Sequence, residues 1–191
     1  MADYMVDESS GARAIRYSSL AVLIHWLSAA LILGQVYLGF AFGNYPRGSA
    51  ERAELFTAHK TVGVVILLLA LTRLAIRFID APPPYPADFP KWERRVAVWN
   101  HRLLYALMIG LPLTGLAAVS KRATDGMTEL LGGTWFPVVP IPALGDLHEP
   151  LAFGMIGLLV LHVLAALKNQ LLTGGPVAGR MPPFQATKAK G

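Results

Sequence analysis

Five histidines are the residues of this sequence best suited to chemistry in an apolar setting. Two of them, His148 and His162, are 14 positions apart. On a helix, fourteen residues at about 100° each bring the second side chain to within about 40° of the first, and about 21 Å further along the axis. A neutral imidazole is a good ligand for a transition metal. This spacing therefore predicts two metal-binding positions at different heights on one helical face.

Four apolar segments provide the helices that carry these histidines. The chain is 54% hydrophobic and only 15% charged. Its apolar residues are concentrated in four blocks: Leu20–Phe42, Thr61–Ile79, Leu103–Val119 and Leu151–Leu167. Each block is close to the ~20 residues that cross a hydrocarbon core ~30 Å thick, and backbone in lipid must satisfy its hydrogen bonds within the segment. The sequence therefore predicts an all-α fold, a single four-helix transmembrane bundle.

The predicted bundle occupies residues 20–170, with helices at about 20–42, 59–79, 101–120 and 148–168. Residues 1–19 form an N-terminal segment and residues 171–191 a tail. Of the 17 Lys and Arg residues, twelve lie on the side of the termini and five on the other side. Because Lys and Arg accumulate in cytoplasmic loops, both termini are expected in the cytoplasm. The same asymmetry accounts for the net charge of +5, so no nucleic-acid partner is implied.

Depth in the bundle sorts the histidines into pairs. His25 and His162 each lie about 8 Å inside the cytoplasmic end of their helices. His59 and His148 both stand just ahead of an apolar run at the opposite end. His101, at the cytoplasmic start of the third helix, is left over, and a structural role is favoured for it. A lone intramembrane histidine is often an interhelical contact, but two depth-matched pairs that share a helix favour ligand roles.

Haem fits these pairs better than zinc. A structural zinc ion needs four converging ligands, whereas the two pairs are about 21 Å apart. A porphyrin supplies four equatorial nitrogens and needs only two axial ligands from the protein. The chain has no cysteine, which excludes thiolate metal sites, iron–sulfur clusters and covalent haem attachment. The residues therefore predict two non-covalent haems, one held by His25 and His162 and the other by His59 and His148.

Arg73 repeats the 14-residue spacing on the second helix, counted from His59. It is expected at the level of the His25–His162 pair. A cation there could bind a haem propionate or a quinone oxygen. A snorkelling arginine near a helix end is an equally good explanation.

Two connecting segments carry expectations of their own. Lys91–Asn100 has Trp and Val on one face and Arg on the other, so it either lies in the membrane interface or simply leads into the third helix. The connection Ser120–Leu147 is expected to be irregular and to cover the outer end of the bundle, because its length exceeds that of ordinary loops.

An ordered set of short stretches resembles a known family. The stretches are Arg16-Tyr17-Ser18 with Ile24-His25-Trp26-Leu27, Ala58–Gly63 with Leu71–Leu74, His101 with Tyr105 and Leu111–Gly115, and His148-Glu149 with Leu161-His162. In this order they are similar to the bacterial cytochrome b561 family over roughly residues 16–170.

The resemblance implies a four-helix protein of the bacterial inner membrane with two non-covalent b haems. It assigns His25 with His162 to one haem and His59 with His148 to the other. It also implies electron exchange with membrane quinone, for which Arg73, His101 and Asn169 are candidate contacts.

Some members of the family are held to oxidise superoxide at the periplasmic face, so such a donor is an expectation for this chain. Four outer cations could attract that anion, although ordinary loop charges explain them at least as well. They are Arg52, Lys60, Lys121 and Arg122.

Two other functions stay open at this point. The chain could be a membrane cytochrome b subunit that accepts electrons from a separate dehydrogenase or hydrogenase docked on residues 82–100. It could also be a small proton-coupled transporter that uses the buried histidines and Arg73. Whether the protein is itself a quinone-linked oxidoreductase or only an electron carrier is likewise open.

Overall fold

The computed structural model describes residues 6–7, 14–15, 17–79, 84–85, 89–123, 125–133, 135–173, 177 and 180–181. Two short strands, β1 (Val6–Asp7) and β2 (Ala14–Ile15), pair in the N-terminal segment. Four long helices follow: α1 (Ser19–Ala41), α2 (Ala50–Ile79), α3 (Lys91–Val119) and α4 (His148–Leu167). Each belongs to a helical stretch long and apolar enough to cross a membrane. The predicted all-α, four-helix fold is confirmed.

The helices pack in chain order, α1 on α2, α2 on α3 and α3 on α4. Residues near the start of α1, the end of α2, the start of α3 and the end of α4 meet at one end of the bundle. We call this the terminal end. The opposite end, which carries the α1–α2 and α3–α4 connections, is called the loop end.

All four helices contribute to a core in the middle of the bundle. Its buried residues are Ile32, Ile66, Ala70, Met108 and Met155. Many large apolar side chains instead face outward, for example Leu33 at 62% exposure and Val160 at 52%. An apolar surface of this extent is costly in water and is the normal covering of a helix in lipid.

The second helix begins earlier than the apolar count predicted, at Ala50 rather than about residue 59. Ser49 caps it, since its hydroxyl accepts a hydrogen bond from the Arg52 backbone N–H at 3.3 Å. The Arg52 guanidinium donates to the carbonyls of Phe42 and Tyr45 at 2.9 and 3.0 Å, which connects the helical turns that precede residue 59 to the end of α1. A polar helical turn outside the apolar block is therefore stabilised by its cap rather than by burial.

The third helix is also longer, running without interruption from Lys91. Of the two expectations for Lys91–Asn100, the structure therefore supports the helical lead-in. The side chain of Lys168, at the end of α4, donates to Glu93 at 2.7 Å and lies over the ring of Trp92. These contacts hold the first turn of α3 against the neighbouring helix.

The α3–α4 connection is more regular than expected. Strand β3 (Met127–Glu129) pairs antiparallel with β4 (Trp135–Pro137), and a 3-10 turn, Pro142–Leu147, leads into α4. We call residues 127–137 the loop hairpin. The sequence favoured irregular structure here because its Gly and Pro signals are strong, yet two of those glycines supply the positive φ that the hairpin turn needs.

The loop hairpin is fastened to α2. The Lys60 ammonium donates to the Glu129 carbonyl at 2.6 Å and to the Thr128 hydroxyl at 3.1 Å. The Leu131 backbone N–H donates to the Thr61 hydroxyl at 3.0 Å. The hairpin consequently covers the loop end, as predicted for this connection.

Two segments lie largely outside the described residues. The four prolines among residues 81–86 predict an extended linker, of which only Pro84 and Tyr85 are described. The Gly, Pro and Lys residues after Thr173 predict a mobile tail, which is described only at Val177, Arg180 and Met181.

Candidate functional sites

Two histidine pairs lie at opposite ends of the bundle. At the terminal end, the ring centres of His25 on α1 and His162 on α4 are 6.2 Å apart. At the loop end, those of His59 on α2 and His148 on α4 are 6.1 Å apart. The two pairs of histidines predicted from their depths along the helices are therefore the pairs whose rings the structure brings together.

The spacing within each pair suits two imidazoles on opposite sides of one metal ion. A metal–imidazole bond is about 2.0 Å long, and a ring nitrogen lies about 1.1 Å from its ring centre, so the two ring centres should be about 6.2 Å apart. Both observed distances agree with this value. Two ligands are too few for a bare structural ion such as zinc. In the part of the chain that the structure describes, no group of three or more His, Cys, Asp or Glu side chains is placed to hold one.

At the loop end, two hydrogen-bond partners on α3 orient His148. Its Nδ1 lies 3.0 Å from the Leu111 carbonyl and 3.2 Å from the Thr114 hydroxyl. A carbonyl can only accept, so Nδ1 carries the proton and Nε2 keeps its lone pair for a metal. A Cβ added to Gly115 would lie 3.1 Å from the His148 ring, so this glycine leaves the space that the ring fills.

His59 is held by α1. The Gln35 amide donates to the His59 carbonyl at 3.0 Å and lies 3.3 Å from its Nε2. The ring of Phe42 packs edge-on against the His59 ring, with the ring centres 5.5 Å apart. The His59 ring also lies against Gly39, where an added Cβ would be 3.4 Å from it. Within the described residues, His59 Nδ1 is buried and has no hydrogen-bond partner. The Gln35 amide nitrogen is a donor, so His59 Nε2 accepts and Nδ1 carries the proton; Nε2 would be free for a metal only after Gln35 releases it.

A cavity of about 530 Å³ lies beside the loop-end pair, and both His59 and His148 line it. Most of its wall is apolar, contributed by residues such as Ile32, Val64 and Leu116 from three helices. Cofactor pockets are commonly 300–1,000 Å³ and mostly apolar with a few polar groups. By size, lining and ligand chemistry the loop-end site fits a haem. The lining does not include His25 or His162.

At the terminal end, Arg73 lies against the first histidine of the pair. Its guanidinium nitrogen is 3.2 Å from His25 Nδ1. Arginine has only donors, so Nδ1 accepts here, in contrast to His148. A metal on Nε2 of His25 needs the lone pair of that nitrogen, so the ring proton must then be on Nδ1. A protonated Nδ1 cannot accept a hydrogen bond, so Arg73 would have to move away from it.

His101 joins the terminal-end pair. Its ring is 5.1 Å from that of His162, closer than the depth count indicated. Its Nδ1 is 2.6 Å from the Ala97 carbonyl, which leaves Nε2 as the acceptor. These two ring centres are about 1 Å closer than two imidazoles on opposite sides of one metal ion would be, and His101 stays a residue for which the sequence favours a structural role.

Asn169 lies beyond α4, in the π-helical turn Lys168–Thr173. Its amide donates to the Ala165 carbonyl at 2.9 Å, a contact local to the end of that helix. Of the three residues predicted for a quinone, the structure therefore groups Arg73 and His101 with the histidines, but gives Asn169 a local contact.

Sequence reasoning missed two residues of the loop-end site, Gln35 and Thr114. Gln35 had a usable signal, since a lone amide within an apolar block is expensive in lipid and therefore informative. Thr114 was quoted as part of a motif without a physical role. A glycine within a helix, such as Gly115, lets a macrocycle or a neighbouring helix approach closely, but no count along the chain could assign it or Thr114 to His148, because their contacts cross from one helix to another.

The chain is similar to known proteins over most of its length. The family model described as prokaryotic cytochrome b561 matches residues 16–183. "Cytochrome b561 homolog 2" of Escherichia coli K12 is 29% identical over 178 residues, which cover 87% of this chain and 90% of that protein. "Cytochrome b561 homolog 1" of the same organism is 26% identical, covering 88% and 97%. "Probable superoxide oxidase CybB" of Yersinia pestis is 30% identical over 115 residues, covering 58% and 61%.

Proposed function

This chain belongs to the prokaryotic cytochrome b561 family, and we propose that it transfers electrons across a bacterial inner membrane between a periplasmic donor and membrane quinone. The terminal end lies in the cytoplasm and the loop end in the periplasm, in keeping with the excess of Lys and Arg beside the termini. The observation that carries the proposal is the pair of histidines at each end, with ring centres 6.2 and 6.1 Å apart.

Two haem b groups are held without covalent bonds, one by His25 with His162 and one by His59 with His148. When bound, each haem supplies an iron that takes up and releases one electron at a time. The chain fixes the orientation of these ligands; for His148 the Leu111 carbonyl sets which nitrogen faces the metal. The apolar core between the two sites excludes water, which keeps both groups in a low-dielectric setting.

The donor reaches the loop end, and we propose a small anion such as superoxide. A second cavity of about 230 Å³ lies under the loop hairpin, lined by Lys60, Arg122 and Trp135 among others. It shares Phe56, Lys60 and Val119 with the wall of the larger cavity. Cations at such an entrance raise the local concentration of an anion. The relative named as a superoxide oxidase supports this choice of donor.

Quinone reacts at the terminal end, beside His162. Arg73 has the donors that a quinone carbonyl needs. His101 has an unprotonated Nε2, which can take up a proton from the cytoplasmic side and pass it to the reduced quinone oxygen. Asn169 completes the candidate set from its position after α4.

Haem quantitation with a reduced-minus-oxidised spectrum tests the ligand assignment. The purified protein should carry two low-spin b haems. His25→Ala and His148→Ala should each remove one, because each variant deletes one axial ligand. His101→Ala is the matched control, since it deletes a histidine of the same environment and should leave both haems in place.

The contrary pattern would overturn the assignment. A protein that stays colourless after growth with added haem precursor has no haem site. Loss of a haem in His101→Ala, with both retained in His25→Ala, would move the ligand role to the other neighbour of His162.

Proteoliposomes test the direction and the partners. With quinone in the bilayer and a superoxide-generating system outside, superoxide-dependent quinol formation should appear only when the loop end faces outward. Arg122→Gln should slow it at low salt and have little effect at high salt, as expected for a steering charge. An equal rate in vesicles without protein would refute the activity.

A further inference from the structure

Two arginines share one aromatic ring at the terminal end. The guanidinium carbons of Arg73 and Arg77 lie 5.7 and 5.8 Å from the ring centre of Tyr105. Both arginines are on α2, one helical turn apart, and the tyrosine is on α3. Stacking on an aromatic face holds a guanidinium in a defined orientation.

No carboxylate balances these two charges within the described part of the chain. The ion pair that the structure records at this end joins Lys168 to Glu93, so that carboxylate is already engaged. Like charges four residues apart on a helix destabilise it, and intramembrane arginines almost always pair with something. Among the described residues, Arg73 donates to the neutral His25 ring and no carboxylate faces either guanidinium, so the two form a positive site next to the His25–His162 pair.

Residues from the start of the chain, the linker and the tail surround the two arginines. Burial raises the pKa of the Tyr17 phenol above its usual value, against the opposing effect of the Arg77 charge, so the phenol stays protonated and can donate. The Tyr17 backbone N–H donates to the Arg180 carbonyl at 3.4 Å, and the Arg180 guanidinium donates to the Pro84 carbonyl at 2.8 Å. The start of α1, the linker and the tail thus meet around the arginines.

We propose that Arg73 and Arg77, held by Tyr105, form a binding site for an anionic oxygen group, a carboxylate or a phosphate. A guanidinium offers two parallel N–H donors that match either group. Two sources carry this chemistry in a membrane. One is the propionate of a haem on His25 and His162, which rests on the proposed function. The other is the phosphate of an anionic phospholipid, which does not.

Arg77→Gln in the full-length purified protein tests the site, with Arg94→Gln as the control. Arg94 also stacks on a tyrosine at the terminal end, Tyr85 at 5.7 Å, but it does not contact Tyr105. Two quantities are measured: the rate of haem loss to excess apomyoglobin, and the number of phospholipids retained per chain by mass spectrometry.

A propionate source predicts that Arg77→Gln loses one of its two haems about tenfold faster or more, since a charge-assisted hydrogen bond is worth about one to two powers of ten. A phospholipid source predicts one fewer retained lipid per chain, with haem loss unchanged. Tyr105→Leu should reproduce either effect by freeing both guanidinium groups. Arg77→Lys keeps the positive charge but lacks the two parallel N–H donors, so its haem loss or lipid content should lie between those of Arg77→Gln and the wild type.

The proposal is overturned if Arg77→Gln and Tyr105→Leu both match Arg94→Gln in haem loss and in lipid content. Should Arg77→Gln fail to accumulate, Arg77→Lys decides by the same two measurements. A wild-type protein that carries no haem would refute only the proposed function. The number of phospholipids retained per chain would still show whether the anion site exists.

Discussion

Substituting Gly145 by alanine is expected to release the haem proposed for the loop-end site. This glycine lies in the 3-10 turn before α4, where the chain crosses the end of α3. A Cβ there would be 2.5 Å from the Ala118 Cα, 2.7 Å from its N and 3.0 Å from its Cβ. The first two atoms are backbone, so no side-chain rotation can relieve the contact.

The size of the effect follows from those distances. Carbon atoms in contact prefer about 3.5 Å or more, so the turn must move by about 1 Å. His148 begins α4 three residues later, and its Nδ1 bond to the Leu111 carbonyl is 3.0 Å long. A shift of about 1 Å takes that bond beyond hydrogen-bonding range. Overpacking costs about 1–3 kcal/mol and the lost bond about 1 kcal/mol, so haem affinity should fall at least tenfold at this site.

Haem content per chain and the thermal unfolding midpoint measure the outcome. Gly145→Ala should bind one haem rather than two, with the terminal-end haem retained. Gly157→Ala is the matched control, because the same methyl group on α4 meets no atom within 4 Å. Ala118→Gly added to Gly145→Ala should give little rescue, since it removes the Cβ contact but leaves the two closer backbone contacts.

The reasoning fails if Gly145→Ala keeps two haems and unfolds at the temperature of Gly157→Ala. It also fails if Ala118→Gly restores full haem content, because the conflict would then lie with a side chain and not with the backbone of α3.

Three smaller changes probe the same end of the bundle. Gly115→Ala places a Cβ 3.1 Å from the His148 ring, so loop-end haem affinity should fall, but less than for Gly145→Ala, as a titration with haem would measure. Thr114→Val removes the hydroxyl that lies 3.2 Å from His148 Nδ1, which should shift the potential of that haem in redox titration without loss of haem. Lys60→Met removes the two hydrogen bonds to the loop hairpin, so protease should cut the hairpin faster than in the Lys121→Met control.

Opposite results would count against each contact. Equal haem affinity in Gly115→Ala and the wild type would mean that the ring does not fill the space at that glycine. A Thr114→Val protein with an unchanged potential would remove the hydroxyl from the environment of His148. Matching cleavage rates in Lys60→Met and Lys121→Met would show that other contacts hold the hairpin.

The positions of the membrane segments and the depths of the histidines follow from the sequence because both are local quantities. Length along a helix is fixed at about 1.5 Å per residue, whatever the neighbours do. That rule paired His25 with His162 and His59 with His148. The first residues of α2 and α3 were harder to predict from the sequence, because polar contacts such as the Ser49 cap extend a helix beyond its apolar block.

Rotation and packing between helices are not local, and the tertiary structure decided them. Only the fold shows that Gly115 makes room for His148, that Gln35 reaches His59, or that Gly145 crosses the backbone of Ala118. It also brought His101 beside His162 and set Arg73 and Arg77 on the ring of Tyr105. The sequence by itself determined four helices and the height of each histidine, since these depend on residue counts. Which groups surround each histidine depends on contacts between residues far apart in the chain, and therefore on the packed bundle.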